Sequence, residues 1–401
     1  MKKLKQNFAI MCSLFLTILI AGCNQDAAPS LYQEESKGST PVISSTSPAL
    51  EALAGVSEVT INGSNFSTKN EDNFVFFGTS KATVISSASN KLVVKAPNLV
   101  KNNLDVKIAV AGAENFSNVV KYNLLEAVGV YYAFTKGVDD PMAVEVDKNE
   151  NLYVYLKDKG IKKISSDGKL TDWAPKGGES FYVDMKIGPN NELFGARPAT
   201  RAIFRNLEGA AGATFQVFPT GITIASLDFD KNKNIWAAGT GNKMYSVTYP
   251  AKDTTGFSID FSVTSVRVYN DYLYLAGKSS TEEAVYRYKI NSNRSLGTKE
   301  KYFDIGAKYG LGKINVSSIT FSADGDLILG TDQTDSMIFI TSGAAASTLY
   351  PGLISGAVKS LSWGTKKNLF YVREYTEAGA VYHSLIRVDM QKLSASYYGR
   401  L

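Results

Sequence analysis

From residue 128 onward the sequence repeats itself about every 40 to 50 residues, and a repeat of this period constrains the fold more than any other feature of the chain. Each repeat holds a short strand, a polar turn, an apolar strand, a gap and another strand. The strand pairs lie at residues 143–146 with 151–154, 184–187 with 192–195, and 226–229 with 234–237. They continue at 265–268 with 272–275, 318–321 with 326–329, and 360–363 with 368–371. The turns between them are rich in Asn, Asp, Lys and Gly, as in Asp147-Lys148-Asn149-Glu150 and Ala323-Asp324-Gly325. Third strands follow at 160–164, 284–288 and 384–388, and fourth strands at 171–173 and 215–218. Four strands per repeat, repeated about six times, predict a β-propeller of six blades. A closed ring of blades also removes the free sheet edges that invite aggregation. Either residues 131–134, ahead of the first repeat, or residues 395–398, after the last, can supply the closing strand.

The repeat register assigns roles to columns of residues. Trp236 aligns with Tyr153, Phe194, Tyr274, Ile328 and Phe370, and Trp363 aligns with Val146, Ile187, Phe229, Val268 and Phe321. Both columns are large and apolar, so both tryptophans are expected between blades rather than on a ligand. Trp173, on an outer strand, is also expected to be structural. A second column runs Glu145, Lys186, Asp228, Arg267, Thr320 and Ser362 along the inner strands. Alternating charge in neighbouring blades predicts salt bridges near the central channel, because an unpaired buried charge is costly. The alternative is a polar pore that takes a ligand.

Ahead of the repeats, residues 41–124 contain short β-branched runs separated by Gly, Asn and Pro, the pattern of a small β-sandwich. Asp105 to Val110 alternates polar and apolar, as a half-buried strand does. Pro41, Pro48, Thr60-Ile61-Asn62-Gly63-Ser64-Asn65-Phe66, Phe77-Gly78 and Ala96-Pro97 together resemble the IPT/TIG family of immunoglobulin-like domains. The resemblance implies a spacer or interaction module without catalysis. In the repeats, Asp140-Pro141-Met142-Ala143-Val144-Glu145-Val146-Asp147, Asn151-Leu152-Tyr153-Val154, Ile161-Lys162-Lys163-Ile164 and Asp167-Gly168 resemble the NHL-type six-bladed propeller. The expected fold class is all-β, a small immunoglobulin-like sandwich followed by an NHL-like propeller over residues 128–401.

The first 22 residues carry Lys2, Lys3 and Lys5, then an apolar run from Phe8 to about Gly22. That run is shorter than the roughly 20 apolar residues of a transmembrane helix, and its layout is that of a signal peptide. Leu19-Ile20-Ala21-Gly22-Cys23 resembles the bacterial lipobox, which implies cleavage before Cys23 and acylation of its thiol. Residues 23–40, with Asn24-Gln25-Asp26 and a Ser-, Glu- and Pro-containing stretch, read as a flexible tether. Of the two cysteines, Cys12 leaves with the signal peptide and Cys23 is acylated, so the mature chain is expected to have neither free thiol nor disulfide.

The 401-residue chain has 43 basic and 38 acidic residues, and removal of the three leader lysines leaves 40 basic residues against the same 38. No basic cluster of the size needed for nucleic acid is present. The single histidine, His383, cannot by itself supply a catalytic triad or a histidine-rich metal site, and no phosphate loop or zinc spacing occurs. No catalytic residue, metal or cofactor is therefore assigned. Propellers usually bind at the face carrying the loops between second and third strands and between blades. On this register that face displays Tyr182, Arg197, Arg201, Asn242, Tyr309, Asp332, Asp335 and Tyr375, aromatic and polar loop residues suited to a carbohydrate or protein contact.

An IPT/TIG domain followed by an NHL-like propeller behind a lipobox resembles lipoproteins of Bacteroidota. That resemblance implies an outer-membrane location, lipid-anchored and facing the extracellular side, with polysaccharide and outer-membrane glycan import proteins as partners. The expected function is non-catalytic glycan or protein binding. The alternatives are a propeller lyase or hydrolase, since paired carboxylates can serve a glycosidase, and an envelope scaffold without a small ligand.

Overall fold

In the computed structural model, which describes residues 38–197, 200–342 and 344–400, nearly every regular element is a strand. The signal peptide, Cys23 and most of the tether lie outside the described residues.

The first body is a sandwich of two antiparallel sheets. One sheet orders Val42–Ser47, Glu58–Ser64, Lys91–Lys95 and Thr83–Ala88. The other orders Glu51–Leu53, Val120–Leu125, Lys101–Val110, Asn73–Phe77 and Ser80–Lys81. The period of two in the sequence becomes the core: Val59, Ile61, Leu92 and Val94 face Val75, Phe77, Val106 and Ile108. Phe77 meets Tyr122 edge-on with centroids 5.6 Å apart, and the Tyr122 hydroxyl donates to the Pro48 carbonyl at 2.8 Å. Within the Asn62-Gly63-Ser64-Asn65-Phe66 turn, a β-carbon on Gly63 would stand 1.9 Å from the Val42 carbonyl oxygen. Only glycine allows the two chains to approach this closely.

The second body is a ring of six four-stranded antiparallel sheets. The innermost strands are Pro141–Val146, Asp184–Ile187, Ser226–Phe229, Ser262–Tyr269, Val316–Phe321 and Ala357–Trp363, each opening one blade. Every predicted inner strand and its partner are found, with Val146 opposite Leu152 and Phe229 opposite Ile235 as the turn lengths require. Cores fill the wedges between blades. Phe194 of the second blade packs edge-on against Phe229 of the third at 5.2 Å. Trp236 lies in the wedge between blades three and four, and Trp363 in that between five and six. Trp173 is buried against Tyr153 at 5.2 Å.

The ring is closed by Val128–Tyr132, which pairs with Ala380–Asp389 as the outermost strand of the sixth blade, Val128 lying opposite Val388. Of the two segments able to close the ring, the one ahead of the first repeat does so, three residues earlier than its sequence position predicts. Residues 395–398 instead pass beneath the fifth blade, with the Ala395 N–H on the Phe321 carbonyl at 3.0 Å. They then run into the short 3-10 turn Tyr398–Arg400.

Neighbouring inner strands belong to separate sheets, so their facing N–H groups lack a backbone ladder and need other acceptors. Short side chains supply them. Leu227 N–H donates to Asp184 (3.1 Å), Val266 N–H to Ser226 (2.9 Å), Ile319 N–H to Ser265 (3.0 Å) and Val144 N–H to Ser360 (3.2 Å). Asp184, Ser226, Ser265 and Ser360 thus stitch neighbouring blades together.

Candidate functional site

The charged column lies in the channel and is buried. Lys186 stands 3.9 Å from Glu145 and is hydrogen-bonded to Asp184. Arg267 pairs with Asp228 at 3.4 Å. The last turn completes the set: Arg400 bonds Glu145 Oε1 through Nη2 at 2.6 Å and Nε at 3.2 Å, and reaches Ser362 Oγ at 2.7 Å. Tyr397 fits beside it, its ring 3.4 Å from the Arg267 guanidinium carbon and its hydroxyl accepting from Phe321 N–H at 2.8 Å. A β-carbon on Gly399 would meet the Ile187 carbonyl at 1.9 Å, so glycine is required where this segment crosses the inner strand. Three acids (Glu145, Asp184, Asp228) therefore face three bases (Lys186, Arg267, Arg400) among the described residues. Burial opposes the Glu145 charge, but Arg400, then Lys186 and Arg267, outweigh it and hold its carboxyl below the usual range. For Asp228 burial wins over Arg267 and Lys186, and its carboxyl is pushed up. The alternating column is paired charge by charge, as the cost of buried charge demands, and Tyr397 and Arg400 pack against it.

The loop face is less uniform than the register predicts. Tyr182 is a correction: it is fully buried, its ring 4.7 Å from Tyr155 and its hydroxyl on Asn206 at 3.2 Å. It fills the wedge between blades one and two because Gly195 opposite it leaves room for a ring. The other candidates stay at the surface. Arg201 is exposed and donates to Thr220 at 2.7 Å. Arg197 is half-buried, with no hydrogen-bond partner on its Nε among the described residues. Asn242 sits in a tight turn at φ 57°. Tyr309 ends the short helix Ile305–Tyr309, half-buried against the fifth blade. Asp332 accepts from the backbone and side chain of Asn315 (3.0 and 2.5 Å), and Asp335 caps the Gly352 N–H at 2.8 Å. Burial works against the Asp332 charge, but Asn315 and Gln333 hold its carboxyl below the usual range. No hydrogen bond, ion pair or ring contact joins any two of these residues among the described ones.

Tyr375 is different, because it belongs to an extended hairpin. The second and third strands of the sixth blade, Asn368–Glu377 and Ala380–Asp389, run ten residues each, against four to seven in the other blades. Tyr375 pairs across the hairpin with Tyr382, their rings 5.8 Å apart and inclined by 34°. Lys136 lies 4.2 Å from the Tyr382 ring centre and is anchored by Glu377, and the Arg373 guanidinium carbon lies 4.6 Å from the Tyr375 ring centre. Tyr382, Lys136 and Arg373 were not singled out from sequence. The available signal was the length of the strand pair, which outruns the repeat.

His383 sits at the hairpin base, nearly buried, with Nδ1 2.5 Å from Asp140 and Nε2 3.2 Å from Glu374. Burial opposes the Glu374 charge, but Lys359 at 3.1 Å and His383 outweigh it and hold the carboxyl below the usual range. Both imidazole nitrogens are thus committed to carboxylates. The arrangement ties the hairpin to the loop before the first blade and leaves no ring nitrogen to face a substrate.

The first 83-residue body, residues 41–123, matches the IPT/TIG domain family over its length. Residues 41–123 form an IPT/TIG domain. No curated protein matches the chain by sequence. Among solved structures the chain is similar to an auxiliary nutrient binding protein from Bacteroides thetaiotaomicron, at 10% identity and TM-score 0.51, over 87% of this chain and 97% of that one. A second Bacteroides thetaiotaomicron protein, named as a candidate phosphatase, is similar at 11% identity and TM-score 0.57, over 89% and 99%. A gluconolactonase from Xanthomonas campestris is similar at 9% identity and TM-score 0.51, over 65% of this chain and 88% of its own. At these identities the likeness establishes the fold: an IPT/TIG domain followed by a propeller. Among the described residues no helix is long and apolar enough to cross a membrane.

Proposed function

We propose that the chain is a cell-envelope lipoprotein, anchored through Cys23 to the outer membrane and facing outward, that binds a glycan without turning it over. The observation that carries this reading is the paired Tyr375 and Tyr382 on the extended hairpin, flanked by Lys136 and Arg373. Flat aromatic faces stack on sugar C–H groups, and adjacent cations and carboxylates can orient hydroxyls. The charged channel residues are paired with one another, and both nitrogens of the single histidine are occupied, which favours binding over catalysis. The nutrient-binding protein from Bacteroides thetaiotaomicron supports the class of ligand, and the gluconolactonase marks the enzymatic alternative on the same fold.

Affinity-gel electrophoresis of the mature protein against a panel of polysaccharides tests the site. Retardation by at least one polysaccharide is expected, with Tyr375→Ala/Tyr382→Ala weakening it tenfold or more at unchanged melting temperature. A stacked ring contributes about 1–1.5 kcal/mol, and two together account for that factor. Arg197→Ala/Tyr375→Ala is also expected to weaken it. Retardation that survives both double variants sinks the hairpin site, and measurable polysaccharide turnover sinks the non-catalytic reading.

The anchor has its own test. Cys23→Ala is expected to move the protein from the membrane to the soluble fraction and to abolish metabolic labelling with a fatty acid. Each buried CH₂ contributes about 0.8 kcal/mol, so loss of the chains leaves no comparable attachment. Unchanged partitioning would overturn it.

A further inference from the structure

A polar cavity of about 430 Å³ opens between the third and fourth blades. Its walls are the turn after the third inner strand (Asp230, Lys231, Asn232), Asp271 in the equivalent turn of the fourth blade, and Asn293 and Arg294 between that blade's third and fourth strands. These turns lie at the end of the ring opposite the Tyr375–Tyr382 hairpin, since turns after first and third strands share one face and loops after second strands the other.

The walls are rigid. Asp230 accepts from the N–H groups of Asn232 and Asn234 at 2.9 Å each and from Trp236 Nε1 at 2.9 Å, so both its oxygens are committed inward. The Ile290 N–H is held by the Asp271 carbonyl at 2.9 Å, and the Arg294 N–H by the Asn291 carbonyl at 2.9 Å. Lys231 is neutralised by Asp271 at 2.8 Å. What remains is specific. Arg294 uses one nitrogen, Nη1, on the Asp253 carbonyl at 3.2 Å, and has no carboxylate partner among the described residues. Its Nε and Nη2 and the Asn232 side chain have no hydrogen-bond partner there. Asn293 accepts from Ser295 N–H at 3.0 Å and keeps its amide N–H groups.

The cavity thus presents one guanidinium without a carboxylate partner, the planar amides of Asn232, Asn291 and Asn293, and carboxylates whose oxygens are already committed. A guanidinium edge matches a planar carboxylate through two parallel N–H bonds, and primary amides match sugar hydroxyls as donor and acceptor. Asp230 and Asp271 balance Lys231 and Arg294 across the lining, so the open edge of Arg294 suits a monoanionic carboxylate better than a phosphate dianion. We propose that this cavity binds a uronic acid unit, its carboxylate on Arg294 and its ring hydroxyls on Asn232 and Asn293. The site stands apart from the hairpin, and neither reading needs the other.

Ligand-observed NMR on the mature protein, with glucuronate, galacturonate, glucose and glucose 6-phosphate as probes, tests it. The expected result is saturable binding of a uronate, weakened at least tenfold in Arg294→Gln and left unchanged in Tyr375→Ala/Tyr382→Ala, with each variant's melting temperature preserved. Asn293→Ala is expected to weaken uronate binding by a smaller factor. Absence of uronate binding, equal binding of glucose, preferential binding of glucose 6-phosphate, or uronate binding indifferent to Arg294→Gln overturns the proposal. If no uronate binds while polysaccharide retention is still lost in the hairpin variant, the hairpin site stands and this one falls.

Discussion

Replacing Arg400 by methionine is expected to lower the unfolding free energy by about 3–5 kcal/mol, the range for removing one partner of a buried ion pair. The arginine is the only base within 3.5 Å of Glu145 among the described residues, and Lys186 at 3.9 Å is shared with Asp184. Without it three acids, two of them fully buried, face two bases. For a body of this size the melting temperature should fall by roughly 10 °C. Glu145→Gln/Arg400→Met should recover much of the loss, because it removes the stranded charge as well as the pair. The pH dependence carries a definite sign. Glu145 is held below its unfolded value, so in the wild type its contribution is present above about pH 4.3 and is lost as pH falls through the folded value. In Arg400→Met the largest opposing charge is gone and burial raises the folded value instead. The deficit is therefore full at pH 7 and narrows on acidification as Glu145 takes a proton. Guanidinium denaturation followed by tryptophan fluorescence reads this directly, since all three tryptophans lie in the propeller. A variant with the wild-type midpoint at pH 7 would show that Arg400 does not hold the channel.

The propeller was legible because its evidence is periodic. Six recurrences of an apolar pair around a polar turn place Tyr153, Phe194 and Trp236 in one column, and the column is buried throughout. The charged column was legible in sign but incomplete. It holds four of the six charges; Asp184 stands two residues before Lys186 in another column, and Arg400 comes from a segment outside the repeat, to which no period points. The same limit explains the closing strand, where two segments had equal local character and only ring geometry distinguishes them. Tyr182 failed for a different reason. The register places it correctly between blades, but Gly195 removes the neighbouring side chain and draws the ring inward. Tyr375 was found while Tyr382, its partner, was not, because cross-strand pairing depends on where the hairpin turns, at residues 378 and 379. The cavity at Arg294 was missed because its residues are ordinary turn formers. Its chemistry arises only when turns of two blades meet.

Trp236→Ala is the second large effect expected. The indole is fully buried between blades three and four, and such truncations cost about 3–5 kcal/mol. Trp236→Phe separates its two contributions. Phenylalanine keeps most of the packing against Val266 and Leu275 but leaves Asp230 Oδ2 without the indole donor, a bond to a carboxylate that contributes about 1.5–3 kcal/mol. The alanine variant should therefore unfold at markedly lower denaturant than the phenylalanine variant, and both below wild type. If the two unfold together, packing contributes little and the Asp230 bond carries the position. The consequence reaches the cavity, because Asp230 also fixes the Asn232 N–H and the turn that bears it. Loss of the indole bond should loosen that turn and weaken uronate binding in Trp236→Phe while the fold persists, whereas polysaccharide retention at the hairpin should not change. A tryptophan acting as a sugar platform would give the opposite pattern, with retention lost at unchanged stability, and its complete burial excludes that pattern here.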